Sequence, residues 1–270
     1  MATKLEITEL DFDTIKSNLR TFLSQQDEFR DYDFEGSGMS VLLDVLAYNT
    51  HYLGFNANML ANEMFLDSAD LRSSVVSLAK QIGYTPRSMK SPVANINVVV
   101  NGAVGPSVTM ARGTKFTTFL DGQTYAFVNN ADITVIPADG VYTFQNVDIY
   151  EGTYLNFKYT VNTTDIDQRF LIPNNNVDTE TLTVKVQNSI SDSITNVYTL
   201  ASGITGLDST SKVYFLQEVE DGRFEVSFGD GILGKKVDDG NIVILDYIVT
   251  NGDLANGARN FALSGTIGGF

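Results

Sequence analysis

From Gly38 to Asp67 the chain runs without a proline, and its apolar residues return at helical spacing. Val41, Val45, Tyr48, Tyr52, Phe55 and Met59 recur at alternating steps of four and three, a seam of the kind that packs lengthwise on another helix. Leu42, Leu46, Leu53 and Leu60 make a second seam, about 100° round the helix, with Asn49 and Asn56 filling its gaps. A third row, Leu43, Ala47, Thr50, Gly54, Ala57 and Ala61, is mostly small and suits close approach of another backbone. Asp44, His51 and Asn58 trace the one clearly polar line. A surface helix normally buries a single stripe; this one offers apolar or small residues over most of its circumference. At 1.5 Å per residue it would be roughly 40 Å long, too long for the short helical segments beside it to enclose. Its spare faces want other helices, some of them from other chains. The plainer alternative is a central helix of an ordinary domain.

The rest of the composition narrows the partners. The 18 Lys and Arg against 33 Asp and Glu give a formal charge of −15, which repels nucleic-acid phosphates and disfavours anionic lipid surfaces. The acids are scattered, as on a solvated surface. Having no cysteine, the chain has no disulfide, thiolate metal site or cysteine nucleophile, and fits a reducing cytosol. Met1 to Glu9 carries acids where a signal peptide needs a basic stretch and an apolar core. No stretch supplies the roughly 18 uninterrupted apolar residues of a membrane span, so a soluble protein is expected.

Along the chain, Asp11 reads as the N-cap of a helix to about Ser24, with Phe12, Ile15, Leu19 and Phe22 on one face and Asp13 in the first turn. The link from Asp27 to Gly38 is polar with interleaved aromatics. Ser68 reads as the N-cap of a third helix, with Asp70 in its first turn and Leu71, Val75, Leu78 and Ile82 as its buried face. Gly83 at C′ and Pro86 close it.

The grammar changes at Ser91-Pro92. Strands are expected over Val93–Val100, Thr114–Leu120, Gln123–Asn129, Asp132–Ile136, Val141–Tyr150 and Thr153–Val161, with Asp121-Gly122 as a hairpin turn and Glu151-Gly152 as another turn. Asn162 to Asn176 reads as a seam between two β units. The second unit has strands at Thr181–Gln187, Val213–Val219, Arg223–Phe228 and Asn241–Thr250, with turns at Asp221-Gly222 and Asn251-Gly252. The fold class is therefore α+β. A helical module at 1–90 is followed by two mainly antiparallel β domains, 91–162 and 163–270. The glycine-rich end at Phe270 reads as that of a truncated chain.

No constellation points to catalysis, a cofactor or a metal. Gly229 to Lys236 matches a P-loop in part, but Lys236 stands where Ser or Thr must hold magnesium, and turn residues follow where a helix is needed. It reads as a glycine-rich connection between strands. His51 is the single histidine, read as solvated or bonded at an interface. Asp238 and Asp239 precede Gly240 as ordinary turn formers. The β-half aromatics, as in Tyr125 to Val128 and Tyr154 to Tyr159, alternate as sheet-packing residues do, with carbohydrate stacking as the other use. Enzymatic activity is not expected.

Four strings in the helical part, Leu10 to Leu23, Asp31 to Tyr52, Asn62 to Ala69 and Gly83 to Ser88, carry a resemblance. They resemble the N-terminal region of the baseplate wedge subunit of contractile-tailed phages. The related baseplate J family has a similar helical start, then an ArgGlyThrLysPhe-type string, here Arg112 to Phe116, and a GlyAspGly turn, here Phe228 to Lys235. The blocks come in the family's order; wedge subunits of this type commonly run well beyond this chain's length. The resemblance implies a structural virion protein of the tail baseplate, assembled in the host cytoplasm. Two copies would join a larger wedge protein through a helical core bundle, alongside other wedge and sheath-initiating tail proteins. The wedges would form a ring round the central hub that rearranges on tail contraction, without nucleic acid, membrane or cofactor. The partner-helix interface is then expected at Val41, Leu42, Val45, Leu46, Tyr48, Asn49, Tyr52, Leu53, Phe55, Asn56, Met59 and Leu60. The competing reading is a tail-associated receptor- or glycan-binding module built on the β half.

Overall fold

Asp11 starts the first helix as expected: its carboxylate accepts the Thr14 amide at 2.9 Å and caps α1, Phe12–Ser24. A computed structural model describes residues 11–26, 37–84, 86–219 and 222–270, so the link after Asp27 and Asp221 of the expected Asp221-Gly222 turn lie outside the described residues. Ser37 caps the long helix α2, Gly38–Glu63, through the Ser40 amide at 3.0 Å. The fold is α+β, and it separates into a helical unit, 1–85, and a β unit, 86–270.

In the helical unit, α1 packs on a narrow stripe of α2. α2 buries Ser40, Leu43, Ala47, Asn58 and Ala61, so parts of the expected small row and of the expected polar line share one inward face, while Thr50 and Ala57 stay exposed. Asp44 pairs with Lys16 of α1, and Asp11 feels the charge of a half-buried His51. Small residues allow the helices to approach closely, and short polar groups find partners across the narrow gap. On α1, Phe12, Ile15, Leu19 and Leu23 are half-buried, whereas Phe22 is exposed: the stripe continues by a step of four where a step of three had been expected. Leu43 is the one large apolar side chain of α2 that is closed off. Leu43→Ala should cost about 2–4 kcal/mol in urea unfolding, against under about 0.5 for an exposed Leu46→Ala.

The third helix, α3, spans Arg72–Gln81, and its N-cap is Leu71. Ser68 does not cap it; its hydroxyl donates to the Asn62 carbonyl at 2.7 Å and closes the end of α2. The cap comes instead from Glu63, whose carboxylate accepts the Asp70 amide at 2.9 Å and the Leu71 amide at 3.2 Å. A longer side chain reaching back from α2 displaces the local serine. The hydroxyl of Ser74 and these amides hold the Glu63 carboxyl below its ordinary value. With the start moved on, the buried positions are Val76 and Ala79, with Val75 and Leu78 half-buried and Leu71 and Ile82 exposed at the ends. Gly83, at φ 76°, ends the helix as expected: its amide reaches the Lys80 carbonyl and that of Tyr84 the Ala79 carbonyl, each at 3.0 Å.

The β unit holds two larger sheets and a two-stranded ribbon. The first sheet has the order β1 (Val93–Val100), β6 (Tyr142–Glu151), β4 (Gln123–Asn129), β3 (Lys115–Leu120) and β14 (Ala262–Ser264), all antiparallel. β3 and β4 form the expected hairpin, Leu120 opposite Gln123, with Asp121 and Gly122 both at positive φ. The ribbon pairs β2 (Val108–Met110) with β5 (Ile133–Val135). The second sheet runs β7 (Thr153–Thr160), β13 (Ile242–Val249), β9 (Val177–Gln187), β10 (Thr195–Leu200), β11 (Val213–Glu218), β12 (Phe224–Phe228) and β8 (Phe170–Leu171). Only its β10–β11 pairing is parallel.

Glu151-Gly152 is not a hairpin turn. It passes the chain from the first sheet to the second, so the changeover comes ahead of Asn162–Asn176, and β14 later returns to the first sheet. A Cβ on Gly152 (φ 128°) would lie 2.2 Å from the Val249 carbonyl oxygen, so only glycine lets the chain cross β13 here. The fully buried Glu151 seals the crossing, accepting from the Thr250 hydroxyl at 2.6 Å and the Asn251 amide at 3.0 Å. Gly152→Ala should destabilise the β unit by at least about 2 kcal/mol in thermal unfolding, since neither backbone can yield cheaply.

Each larger sheet has its own core. Phe116, Phe127, Tyr142, Phe144 and Ile149 fill the first, joined by Ala255 and Ile267 from the last segment. Val184, Val243, Leu245, Tyr247 and Phe224 fill the second. Edge-to-face contacts link Phe157, Tyr159, Phe170, Phe228 and Tyr198 at centroid distances of 5.0–5.6 Å. The aromatics singled out between Tyr154 and Tyr159 therefore serve sheet packing to this extent.

Candidate assembly interface

Every one of the twelve residues expected at a partner helix is exposed in the isolated chain. Among the ten apolar ones, exposure runs from 46% at Leu46 to 67% at Leu60. The α1-facing stripe lies on the other side of α2, so both seams stand outward and neither carries a charged residue. Tyr48 and Tyr52 stack along the first seam with centroids 6.2 Å apart. α2 thus buries its small and polar side and exposes its large apolar side, the reverse of an ordinary surface helix. So broad an uncharged face has the character of a contact surface.

Exposed apolar side chains of the helical unit are not confined to the heptad pattern. Met64, Phe65 and Leu66, in the turn after α2, and Phe22 on α1 are also largely exposed. The run GluMetPheLeuAsp, which closes the helix, already carried that signal; helical spacing alone could not place it, because those residues leave the helix.

The most charge-rich constellation in the β unit lies around the buried Asp246. Its carboxylate accepts from the Tyr154 hydroxyl at 2.8 Å, from Lys185 Nζ at 3.0 Å and from Asn156, with Arg112 Nη1 at 3.4 Å. Arg112 also donates to Asn130 Oδ1 at 2.6 Å and the Thr181 carbonyl at 3.2 Å, and lies 5.1 Å from the centre of the Tyr154 ring. Burial pushes the Asp246 carboxyl up, but the hydrogen bonds from Asn156, Tyr154 and Lys185 together hold it below its ordinary value. Burial, then the bond to Asp246, pushes the Tyr154 phenol up to about 12. An ionised carboxylate, two cations and a phenol held neutral supply no group poised to exchange a proton near neutrality. The cluster ties the Arg112 loop to the second sheet: the ArgGlyThrLysPhe-type string has a structural use.

The other sequence features resolve in the same direction. Gly229 to Lys236 lies in the β12–β13 connection, where Asp230 accepts the Ile232 and Leu233 amides at 2.8 and 2.9 Å, and no helix follows it. Asp239 accepts the Thr163 amide at 2.9 Å as a turn brace. Among the described residues no group of three or more His, Asp or Glu converges as a metal site, and no helix is long and apolar enough to cross a membrane.

A helical unit whose longest helix exposes two apolar seams has the character of an assembly component. Residues 11–84 match the family described as the helical domain of baseplate wedge protein gp6-like proteins. The chain is also 32% identical over 275 residues to baseplate wedge protein gp6 of Enterobacteria phage T4, across 95% of this chain and 40% of that protein. Both matches bear out the resemblance to baseplate wedge subunits of contractile-tailed phages, and the similarity to that relative runs along nearly the whole of this chain. It spans about 40% of the length of that relative.

Proposed function

We propose that the chain is a structural, non-catalytic component of a phage tail baseplate wedge that joins its partners through α2. One observation carries the reading: the domain that matches the wedge family exposes both apolar seams of its longest helix. Two copies join a larger wedge protein in a helical core bundle, other wedge and sheath-initiating tail proteins adjoin them, and the wedges close a ring round the hub that rearranges on contraction. The division into an assembly module at 1–90 and β domains at 91–162 and 163–270 belongs to the same proposal, with β7 and β14 crossing between the two sheets. The β domains provide spacing and lateral contacts, and assembly takes place in the host cytoplasm before the protein resides in the virion.

Size-exclusion chromatography with light scattering, on the chain alone and mixed with candidate wedge proteins, tests this. A stoichiometric complex larger than the chain itself is expected. A monomer that ignores every wedge partner, while residues 91–270 bind a glycan saturably, would replace this reading with the receptor-binding one.

A further inference from the structure

We propose that the first sheet takes an additional strand, an extended acidic segment of another protein, in the cleft between its edge strands β1 and β14. The proposal rests on the assembly reading for where the segment comes from, and on the cleft alone for its chemistry. The sheet curls, so that its two edges and the segment before β14 line one cleft of about 510 Å³. Its walls include Ile96 and Val98 of β1, Phe116 of β3, Leu263 of β14, and Phe261. Burial fades towards this opening. Tyr142, Phe144, Val147 and Ile149 on β6 are closed off, whereas Ala94, Ile96, Val98 and Val100 on β1 are only half-buried. Across the cleft, Phe116 is 2% exposed, but its partner Leu263 on β14 is 40% exposed. The core of the first sheet is thus left uncovered between its two edges.

β1 offers main-chain groups along its outer side. The Pro92 carbonyl accepts the Glu151 amide at 2.9 Å, which sets the alternation of the ladder. Val93, Asn95, Asn97 and Val99 therefore turn their N–H and C=O groups away from β6. The one irregularity of that pairing falls on the other strand. Between the pairs Ile96–Val147 and Val98–Phe144, β6 has two residues and β1 has one. Edge strands are usually guarded by a charge, a proline, a bulge or shortness. β8 and β14 are short and β7 carries Lys158, but Val93–Val100 has none of these guards. A regular, unguarded edge beside an uncovered core is the arrangement that strand addition uses. Charge then selects the segment. Arg259 is the one charged residue that lines the cleft, although the chain as a whole carries −15. The segment that fits has apolar side chains at alternate positions and a carboxylate for Arg259.

The full chain is titrated, by fluorescence anisotropy, into a labelled and end-capped synthetic peptide as long as β1. The peptide alternates valine with threonine and carries one glutamate. Saturable binding is expected, with slowed amide exchange at Val93, Asn95, Asn97 and Val99. Val99→Pro removes one outward N–H at an edge position that tolerates proline, and should weaken binding on the order of tenfold. Arg259 is exposed, so Arg259→Glu leaves the fold intact. It should weaken binding about fivefold and reverse the preference towards a peptide with lysine in place of glutamate. Circular dichroism checks that both variants are folded. The inference is overturned if no saturable binding occurs, if both peptides bind equally, or if the exchange protection falls on β7 instead of β1. It is also overturned if the unliganded chain forms a dimer that Val99→Pro dissociates, since a second copy is then the occupant. Peptide binding by a chain that ignores every wedge partner keeps the cleft and removes the assembly reading. Normal wedge assembly by a chain that ignores the peptide does the reverse.

Discussion

Replacing Leu46 and Leu53 together with aspartate should abolish co-assembly with wedge partners while the chain itself stays folded. Both side chains are exposed, so the folded chain loses little packing; the cost is about 1 kcal/mol from the poorer helix propensity of two aspartates. At a helix–helix contact the balance differs. Two buried leucines contribute about 3–6 kcal/mol, on the order of 10²–10⁴ in dissociation constant, before the cost of burying two unpaired carboxylates is added. Co-expression followed by chromatography with light scattering reads the loss, and far-UV circular dichroism checks that α2 persists. Normal assembly by the double variant would remove α2 as the joining element.

The second large effect concerns the β unit. Asp246→Ala should lower its stability by about 3–5 kcal/mol, because Arg112 and Lys185 would keep their charges with no carboxylate between them. The direction with pH follows from the depressed carboxyl. Its contribution is complete above the ordinary value of 3.8 and falls away as pH drops through the lower value it has in the folded chain. Urea midpoints measured between about pH 6 and about pH 2 should therefore decline less steeply at the acid end for Asp246→Asn than for the parent. Equal slopes would show that Asp246 makes no such contribution.

Much of the architecture was legible in local pattern. The two seams of α2, the Asp11 cap, the Gly83 stop and the Asp121-Gly122 hairpin all depend on residues a few positions apart. Where groups distant in the chain decide, local pattern failed. Glu63 took the capping role from Ser68 because it reaches across from the preceding helix. Gly152 looked like a turn because its contact with Val249 is invisible from either strand alone. β8, β10 and β14 are short or flanked by polar loops, and only their partners in the sheets make them strands. The orientation of α2 was the subtlest point. Asp44, His51 and Asn58 were read as the polar line, yet α1 lies on that side and the apolar seams face outward. Hydropathy marks which residues share a face, and the neighbour decides which face is inside.

The return of β14 to β3 bears on the order in which the molecule is made. Ala262 pairs with Thr117, so the first sheet stays without its outer strand until nearly the whole β unit has left the ribosome. The helical unit needs only near-neighbour contacts and folds on the fast end of the scale, whereas the β unit must first close a very long loop. Stopped-flow refolding should thus show helix signal well ahead of sheet completion. The newborn chain would carry a folded long helix while the β unit was still unfinished.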